Sequence, residues 1–252
     1  MKTKAIFFDL DGTLYFKGEA IEGAIETVNQ LRDKGYICRF LTNTDGSTPK
    51  TILDRLRNMG FNIQLEEIYT PITASIKFLE RIEGARIYPL MLDEVVDEYK
   101  NFNIGTEAVD YLVIGDCRDK ISYDHLNTVF RMIGENTEIF VTQKGRYFYN
   151  ADGKNIDTGA FAAMFEYATG KVAKVLGKPS KDFFNILLED LNLEAGQVLI
   201  IGDDITTDIV GANTIGAKGA LVKTGKYNDQ RNLKVAEPDM ILDSVVDLQK
   251  LL

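Results

Sequence analysis

The feature that most constrains this chain is an apolar run, Ala5 to Phe8, that ends on two aspartates separated by one residue. The run lacks helical spacing and is typical of a strand buried on both faces of a parallel sheet. Ligands bind such sheets in the crevice outside the carboxyl ends of the strands. Asp9 and Asp11 are therefore predicted to project into that crevice as a nucleophile and an acid. Since Gly12-Thr13 follows as a turn signal, turn chemistry alone is the alternative.

Three later stretches decide between these interpretations, because each places polar residues at or after the end of another predicted strand. They are Thr42-Asn43 after Tyr36–Leu41, Gly177-Lys178-Pro179-Ser180 after Val172–Leu176, and Gly202-Asp203-Asp204 with Asp208 after Gln197–Ile201. Helical patterns separate these strands, as in a parallel α/β sheet.

Composition narrows the classes of function. The 252 residues carry a formal net charge of −9, which argues against a nucleic-acid partner or an anionic membrane surface. No apolar run approaches the length of a membrane span, and no signal peptide is expected before the first strand. Cys38 and Cys117 follow no metal-ligand spacing and are expected to be reduced, so a cytoplasmic location is predicted.

The pattern changes after about Ile72, where a middle block has its own α/β alternation. We predict an α/β fold with a Rossmann-like parallel sheet core, residues 1–72 and 176–252, and an inserted α/β cap domain, residues 73–175. Within the block, the strands Glu138–Val141 and Arg146–Tyr149 are predicted to form a hairpin around Gln143-Lys144-Gly145.

The grouped residue types favour phosphoryl transfer. A phosphate dianion requires positive charge and hydrogen-bond donors, while an attacking carboxylate must not be repelled by it. Mg²⁺ reconciles these demands, because it accepts oxygen ligands and typically binds one or two protein carboxylates.

In this order, the four stretches resemble the motifs of the haloacid dehalogenase superfamily of phosphohydrolases. Asp9-Leu10-Asp11-Gly12-Thr13 resembles the first motif, Thr42-Asn43 the second, Lys178 the third, and Gly202-Asp203-Asp204 with Asp208 the fourth. The insertion of about a hundred residues is similar to that of the subfamily with a C2-type cap, as are three local stretches. These are Gly177–Ser180, Thr207–Ile209 and Val222–Tyr227. The subfamily includes nitrophenyl phosphatases, the nucleotide phosphatase of N-acetylglucosamine metabolism, and the phospholysine/phosphohistidine pyrophosphatase.

The resemblance implies roles for the matching residues. Asp9 would attack phosphorus and form an aspartyl-phosphate, and Asp11 would protonate the leaving oxygen and then deprotonate the attacking water. Thr42 and the backbone of Asn43 would bind the phosphoryl oxygens. Lys178 would neutralise charge on both Asp9 and the transferring group.

The resemblance also implies a metal site. Asp203 would bind Mg²⁺ together with Asp9 and the backbone carbonyl of Asp11. Asp204 or Asp208 would hold the waters of the metal or Lys178. Because a dehalogenase attacks carbon and needs no leaving-group acid two residues after its nucleophile, Asp11 favours a phosphatase.

One departure from the resemblance concerns the second motif. Many relatives continue it with another Asn and a Ser, whereas Thr44-Asp45-Gly46-Ser47 stands here and adds a carboxylate that is expected close to the site. Lys223–Tyr227 is predicted either to line the outer edge of the site or to be a solvated loop.

The predicted function is a Mg²⁺-dependent phosphatase that hydrolyses small phosphorylated metabolites. Two alternatives stay open: an enzyme of the same fold acting on pyrophosphate or a phosphoamino acid, and a non-catalytic binding or regulatory protein. The resemblance to the family implies a homodimer through the cap, although no particular residue indicates one. The loops of the cap are expected to determine which substrate is bound.

Overall fold

The computed structural model describes residues 2–150, 153–230 and 232–251. Met1 and Leu252, the ends of the predicted core domain, lie outside these ranges. The strands are β1 (Ala5–Asp9), β2 (Tyr15–Phe16), β3 (Glu19–Ala20), β4 (Ile37–Leu41), β5 (Ile68–Tyr69), β6 (Arg86–Leu90), β7 (Asn103–Ile104), β8 (Val109–Ile114), β9 (Ile133–Val141), β10 (Tyr147–Asn150), β11 (Gly153–Ile156), β12 (Lys174–Val175), β13 (Val198–Gly202), β14 (Lys218–Val222) and β15 (Met240–Leu242). The α-helices are α1 (Ala24–Asp33), α2 (Pro49–Asn58), α3 (Pro71–Leu79), α4 (Asp93–Val96), α5 (Tyr123–Met132), α6 (Thr158–Thr169), α7 (Lys181–Leu191), α8 (Val210–Ile215) and α9 (Tyr227–Gln230).

The chain divides into two compact units, which we call the core unit and the second unit. The core unit comprises Met1–Thr42, Pro49–Tyr69 and Lys178–Leu252, and the second unit comprises Asn43–Thr48 and Thr70–Gly177. The predicted division into a core of residues 1–72 and 176–252 and a cap of residues 73–175 stays a prediction.

A six-stranded parallel sheet forms the centre of the core unit, in the order β15-β14-β13-β1-β4-β5. Every residue of β1 and β13 is buried, which explains their continuous apolar sequences. Helices α1 and α2 each bury a stripe of apolar residues in a hydrophobic core that they share with residues of β1 and β13. The stripes include Val28, Leu31 and Leu56. The predicted α/β fold with a parallel sheet core is confirmed.

The strand register brings polar residues to one edge of this sheet. Asp9 pairs with Leu41, and Phe8 pairs with Ile201. The carboxyl ends of β1, β4 and β13 therefore lie side by side, and the residues that follow them share that edge.

A short two-stranded ribbon follows the first motif. Strands β2 and β3 pair antiparallel around Lys17 and Gly18. Both connecting residues have positive φ, 52° and 84°, as the favoured two-residue hairpin turn requires.

The second unit contains a five-stranded parallel sheet in the order β12-β9-β8-β6-β7. Two apolar clusters of this unit include Leu112 and Ile139 in one and Val113 and Phe140 in the other. No helix among the described residues has the length and apolar character needed to cross a membrane.

The predicted hairpin around Gln143-Lys144-Gly145 is wrong. Strand β9 pairs with β8 and β12 in the parallel sheet, whereas β10 pairs with β11, a strand that the sequence analysis missed. Strand β11 is short and reads Gly-Lys-Asn-Ile, so its composition gives little indication of a strand.

Candidate active site

The carboxyl edge of the core sheet carries three buried aspartates. Asp9 is the last residue of β1, Asp203 directly follows β13, and Asp208 lies in a π-helical turn, Ile205–Ile209. Carboxylate oxygens of the three residues all lie within 4.8 Å of one another. The chain thus places three potential anions in a small, largely dehydrated volume.

Lys178 supplies the cation at the centre of this cluster. Its side chain is only 2% exposed, and its ammonium group donates to Asp9 Oδ1 at 2.5 Å and to Asp208 Oδ1 at 2.7 Å. Burial acts to lower the pKa of Lys178, but the carboxylates of Asp208 and Asp9 outweigh it and raise the pKa well above its usual range. Lys178 is therefore charged and fixed between two carboxylates.

One ammonium group does not balance three carboxylates. Burial, with the negative charge of Asp9 and Asp208, raises the pKa of Asp203, and burial also raises the pKa of Asp208 despite its bond to Lys178. Such a site is short of positive charge, and a divalent cation would supply it. Three carboxylates offer the hard oxygen ligands that Mg²⁺ or Ca²⁺ prefers. The residues present therefore fit a metal of this class.

Asp11 lies beside the cluster at the start of the short ribbon. The Gly12 N–H donates to the Tyr15 carbonyl at 2.7 Å, and an isolated bridge joins Asp11 to Tyr15. The side chain of Asp11 is exposed, yet partial desolvation and the charge of Asp9 raise its pKa, against opposing effects of Lys226 and Arg55. A raised pKa favours a carboxyl group that must carry a proton at the right moment.

Hydroxyl groups accompany the nucleophile candidate. Thr13 Oγ1 donates to Asp9 Oδ2 at 3.2 Å, so both oxygens of Asp9 have donors. Thr42 is buried directly after β4, and its N–H donates to the Tyr69 carbonyl at 3.1 Å. The pairing of Asp9 with Leu41 places Thr42 at the neighbouring strand end.

Asn43 and Asp45 fall in the second unit. The Asn43 amide oxygen lies close to Gly177: a Cβ atom added at Gly177 would be 2.8 Å from this oxygen. Asp45 is buried and accepts hydrogen bonds from Thr142 Oγ1 at 2.5 Å and Thr158 Oγ1 at 2.7 Å. Asp45, where the sequence differs from many relatives, thus has hydrogen-bond partners that the sequence did not predict.

The structure distinguishes the two aspartates between which the sequence could not choose. Asp208 contacts Lys178, whereas Asp204 Oδ2 accepts from Lys226 Nζ at 2.9 Å. Burial acts to raise the pKa of Asp204, but Lys226 and two bonds from Thr206 lower it to about 2. Lys226 is a site neighbour that the sequence left undecided.

Comparison with known proteins places these features in a family. The family model described as haloacid dehalogenase-like hydrolase matches residues 6–105, and a second, described as HAD-hydrolase-like, matches residues 175–248. A zebrafish (Danio rerio) protein named phospholysine phosphohistidine inorganic pyrophosphate phosphatase is 36% identical over 250 residues, covering 97% of this chain and 90% of that protein. The chain belongs to the haloacid dehalogenase-like hydrolases.

Other members of the haloacid dehalogenase-like hydrolases agree with this assignment. Human haloacid dehalogenase-like hydrolase domain-containing protein 2 is 36% identical over 237 residues, covering 93% of this chain and 90% of that protein. The solved structure of p-nitrophenyl phosphatase from Archaeoglobus fulgidus has a TM-score of 0.91 at 26% identity, with 100% of each chain covered. NagD from E. coli K-12 has a TM-score of 0.88 at 25% identity, with 98% of each chain covered.

The family and the subfamily inferred from the motifs are confirmed by these matches, as is the assignment of the chain as a hydrolase. The names of several relatives contain the word phosphatase, in agreement with the predicted class of enzyme.

Proposed function

We propose that this chain is a Mg²⁺-dependent phosphatase that acts on small phosphorylated substrates through an aspartyl-phosphate on Asp9. The observation that carries the proposal is the buried group of Asp9, Lys178, Asp203 and Asp208, in which one ammonium contacts two of three clustered carboxylates. This arrangement combines a carboxylate nucleophile, a fixed cation and ligands for a divalent metal.

Asp9 would attack phosphorus with one carboxylate oxygen while the bond from phosphorus to the leaving oxygen breaks. Asp11 would donate its proton to that oxygen and afterwards accept a proton from the water that attacks the phosphorylated Asp9. Two steps with a positioned acid and base replace one direct attack of water. The raised pKa of Asp11 supports this role, because it favours the protonated form that the first step needs.

Lys178 would neutralise Asp9 and the transferring phosphoryl group together. Thr42, and the backbone of Asn43, would donate to phosphoryl oxygens. Mg²⁺ would supply charge neutralisation for the attacking carboxylate and the phosphate dianion. Asp9, Asp203 and the backbone carbonyl of Asp11 would hold it, and Asp208 would hold its waters or act through its contact with Lys178.

The substrate is proposed at the level of class. The zebrafish relative is named for phospholysine, phosphohistidine and inorganic pyrophosphate, and its 36% identity over nearly the whole chain favours testing these compounds beside ordinary phosphate monoesters. A non-catalytic role would require loss of the machinery, yet all the motif carboxylates and Lys178 are present. A cytoplasmic location and a homodimer stay predictions.

The test is phosphate release from p-nitrophenyl phosphate, pyrophosphate, phospholysine and a panel of metabolite phosphates, with Mg²⁺ and with a chelator. Wild type and Asp9→Asn are compared, with Asp54→Asn as a control because Asp54 is an exposed residue of α2 paired with Lys50. We expect metal-dependent turnover by wild type and Asp54→Asn and none by Asp9→Asn. Absence of turnover on every substrate by folded wild type would contradict the proposal of a broad phosphatase.

A further inference from the structure

The segment Lys223–Tyr227, which we call the Lys226 loop, begins directly after β14 and contacts one of the clustered carboxylates through its main chain. The Lys226 N–H donates to Asp203 Oδ2 at 2.8 Å. Asp203 is 2% exposed, so this bond forms away from water. A buried carboxyl oxygen left without a donor is costly, so this hydrogen bond is retained, and it restricts the rotation of the carboxyl group.

Two side chains of the loop attach it to the neighbouring strand ends. Thr224 Oγ1 donates to the Gly12 carbonyl at 2.5 Å, in the turn after the nucleophile candidate. Lys226 Nζ donates to Asp204 Oδ2 at 2.9 Å, immediately after Asp203. Because the Lys226 side chain is 60% exposed, water weakens this second attachment more than the main-chain bond.

Glycine allows the loop to lie this close to the carboxylate. Gly225 has φ +62°, and a Cβ at this position would overlap with the carboxylate of Asp203 and approach the Gly12 Cα to 2.7 Å. Gly12 has φ +85°, and its own Cβ would overlap with the same carboxylate. The main chain at Gly12 and at Gly225 therefore confines the Asp203 carboxylate. The N–H of Lys226, the residue after Gly225, donates a hydrogen bond to it.

We propose that the Lys226 loop is a positioning element that fixes the Asp203 carboxylate in the orientation required for a divalent cation. Gly225 and the Lys226 N–H act directly on Asp203, whereas Thr224 and the Lys226 ammonium hold the loop in place. The cation-binding part of this inference rests on the proposed function. Residues that orient a metal ligand typically change metal affinity about 10–100-fold when they are altered.

The first test is calorimetric titration of Mg²⁺ into the folded protein, together with the Mg²⁺ dependence of kcat. We expect Gly225→Ala to weaken Mg²⁺ binding about tenfold or more and Lys226→Met to weaken it several-fold. Two matched controls should bind like wild type. Gly216→Ala alters a glycine with φ +77° and no neighbour within 4 Å of its Cβ, and Lys50→Met removes the exposed pair with Asp54 on α2. Wild-type Mg²⁺ affinity in Gly225→Ala would overturn the proposal.

The second test needs no metal and follows urea unfolding in chelator. Gly225→Ala should lower the urea midpoint more than Gly216→Ala does, because only Gly225→Ala brings a Cβ against Asp203. The excess should shrink in an Asp203→Ala background, where the carboxylate is absent and only the approach to the Gly12 Cα at 2.7 Å is left. If Gly225→Ala lowered the urea midpoint equally in the wild-type and Asp203→Ala backgrounds, the inference that the loop fixes the Asp203 carboxylate would be overturned.

The two tests separate this inference from the proposed function. If wild type bound no Mg²⁺ and released no phosphate, the proposed function would fail together with the cation-binding role of the loop. The unfolding cycle would still decide whether the loop fixes Asp203.

Discussion

The ammonium of Lys178 lies 2.5 Å from the carboxylate of Asp9, although the two residues are 169 positions apart in sequence. Asp9 ends a buried strand, and Lys178 begins the last segment of the core unit. Their contact joins the candidate nucleophile to a buried ammonium group within the aspartate cluster.

Lys178→Met should destabilise the protein strongly in the absence of metal. Removing the ammonium leaves Asp9 and Asp208 buried without their cation, a change that costs about 3–5 kcal/mol when a buried pair is broken. The loss should be larger at pH 8 than at pH 5, because burial raises the pKa of Asp208 and protonation of its carboxyl group relieves the penalty as pH falls. Urea unfolding in chelator at both pH values measures it.

Lys223→Met is the matched control, since Lys223 pairs with Asp243 on the surface. We expect no measurable loss of stability in that variant at either pH. A Lys178→Met protein as stable as wild type at pH 8 would contradict the described burial and pairing.

Gly12→Ala should abolish phosphate release and destabilise the fold more than Gly18→Ala. The two glycines have nearly the same φ, +85° and +84°, but a Cβ at Gly12 would overlap with Asp203 and one at Gly18 meets nothing within 4 Å. Gly18→Ala should therefore cost only the left-handed backbone strain, about 1–2 kcal/mol, and should retain activity. Equal effects of the two variants on activity would contradict the placement of Asp203 against Gly12.

Asp45→Asn should stabilise the protein increasingly as pH rises from about 4 to 6. Burial raises the pKa of Asp45 from 3.8 to about 6, with opposing bonds from Thr142 and Thr158 and further raising effects of Asp157 and Asp116. The folded chain therefore holds the proton more tightly than the unfolded chain, and ionisation costs stability through that pH range. The amide of the Asp45→Asn variant carries no such cost. The difference in the free energy of unfolding between the variant and wild type should therefore grow by roughly 3 kcal/mol in favour of the variant and then stay constant.

Urea unfolding at half-unit pH intervals between 4 and 8 measures this advantage. Asp54→Asn on the exposed face of α2 serves as the comparison and should show no comparable gain. A pH-independent difference between Asp45→Asn and wild type would show that Asp45 does not bind a proton in this range.

The fold was largely predictable because apolar strands buried on both faces leave a clear pattern. Strands β1 and β13 are continuous apolar runs, and the polar residues that follow them mark the edge where ligands bind. Strand β11 was missed because four residues of mixed polarity carry no alternation.

The sequence predicted which residues belong at the site better than it predicted their contacts. Motif order indicated Asp9, Lys178, Asp203 and Asp208, which the structure brings together. It could not assign Asp204 to Lys226, because an ion pair between segments 22 residues apart leaves no local pattern. The buried partners of Asp45 were inaccessible for the same reason: Thr142 and Thr158 lie about a hundred residues further along the chain.

The aspartyl-phosphate on Asp9 is tested most directly by the reaction of Asp11→Asn with p-nitrophenyl phosphate in the presence of Mg²⁺. Nitrophenolate leaves without protonation, so Asp9 should still be phosphorylated, but the loss of the base should slow hydrolysis of the aspartyl-phosphate roughly 10²–10⁴-fold. We predict a burst of one nitrophenolate per chain, with acid-quenched mass spectrometry locating the phosphate on Asp9. Steady turnover by wild type, with no burst and no phosphorylated Asp9 in the variant, would contradict a reaction through an aspartyl-phosphate on Asp9.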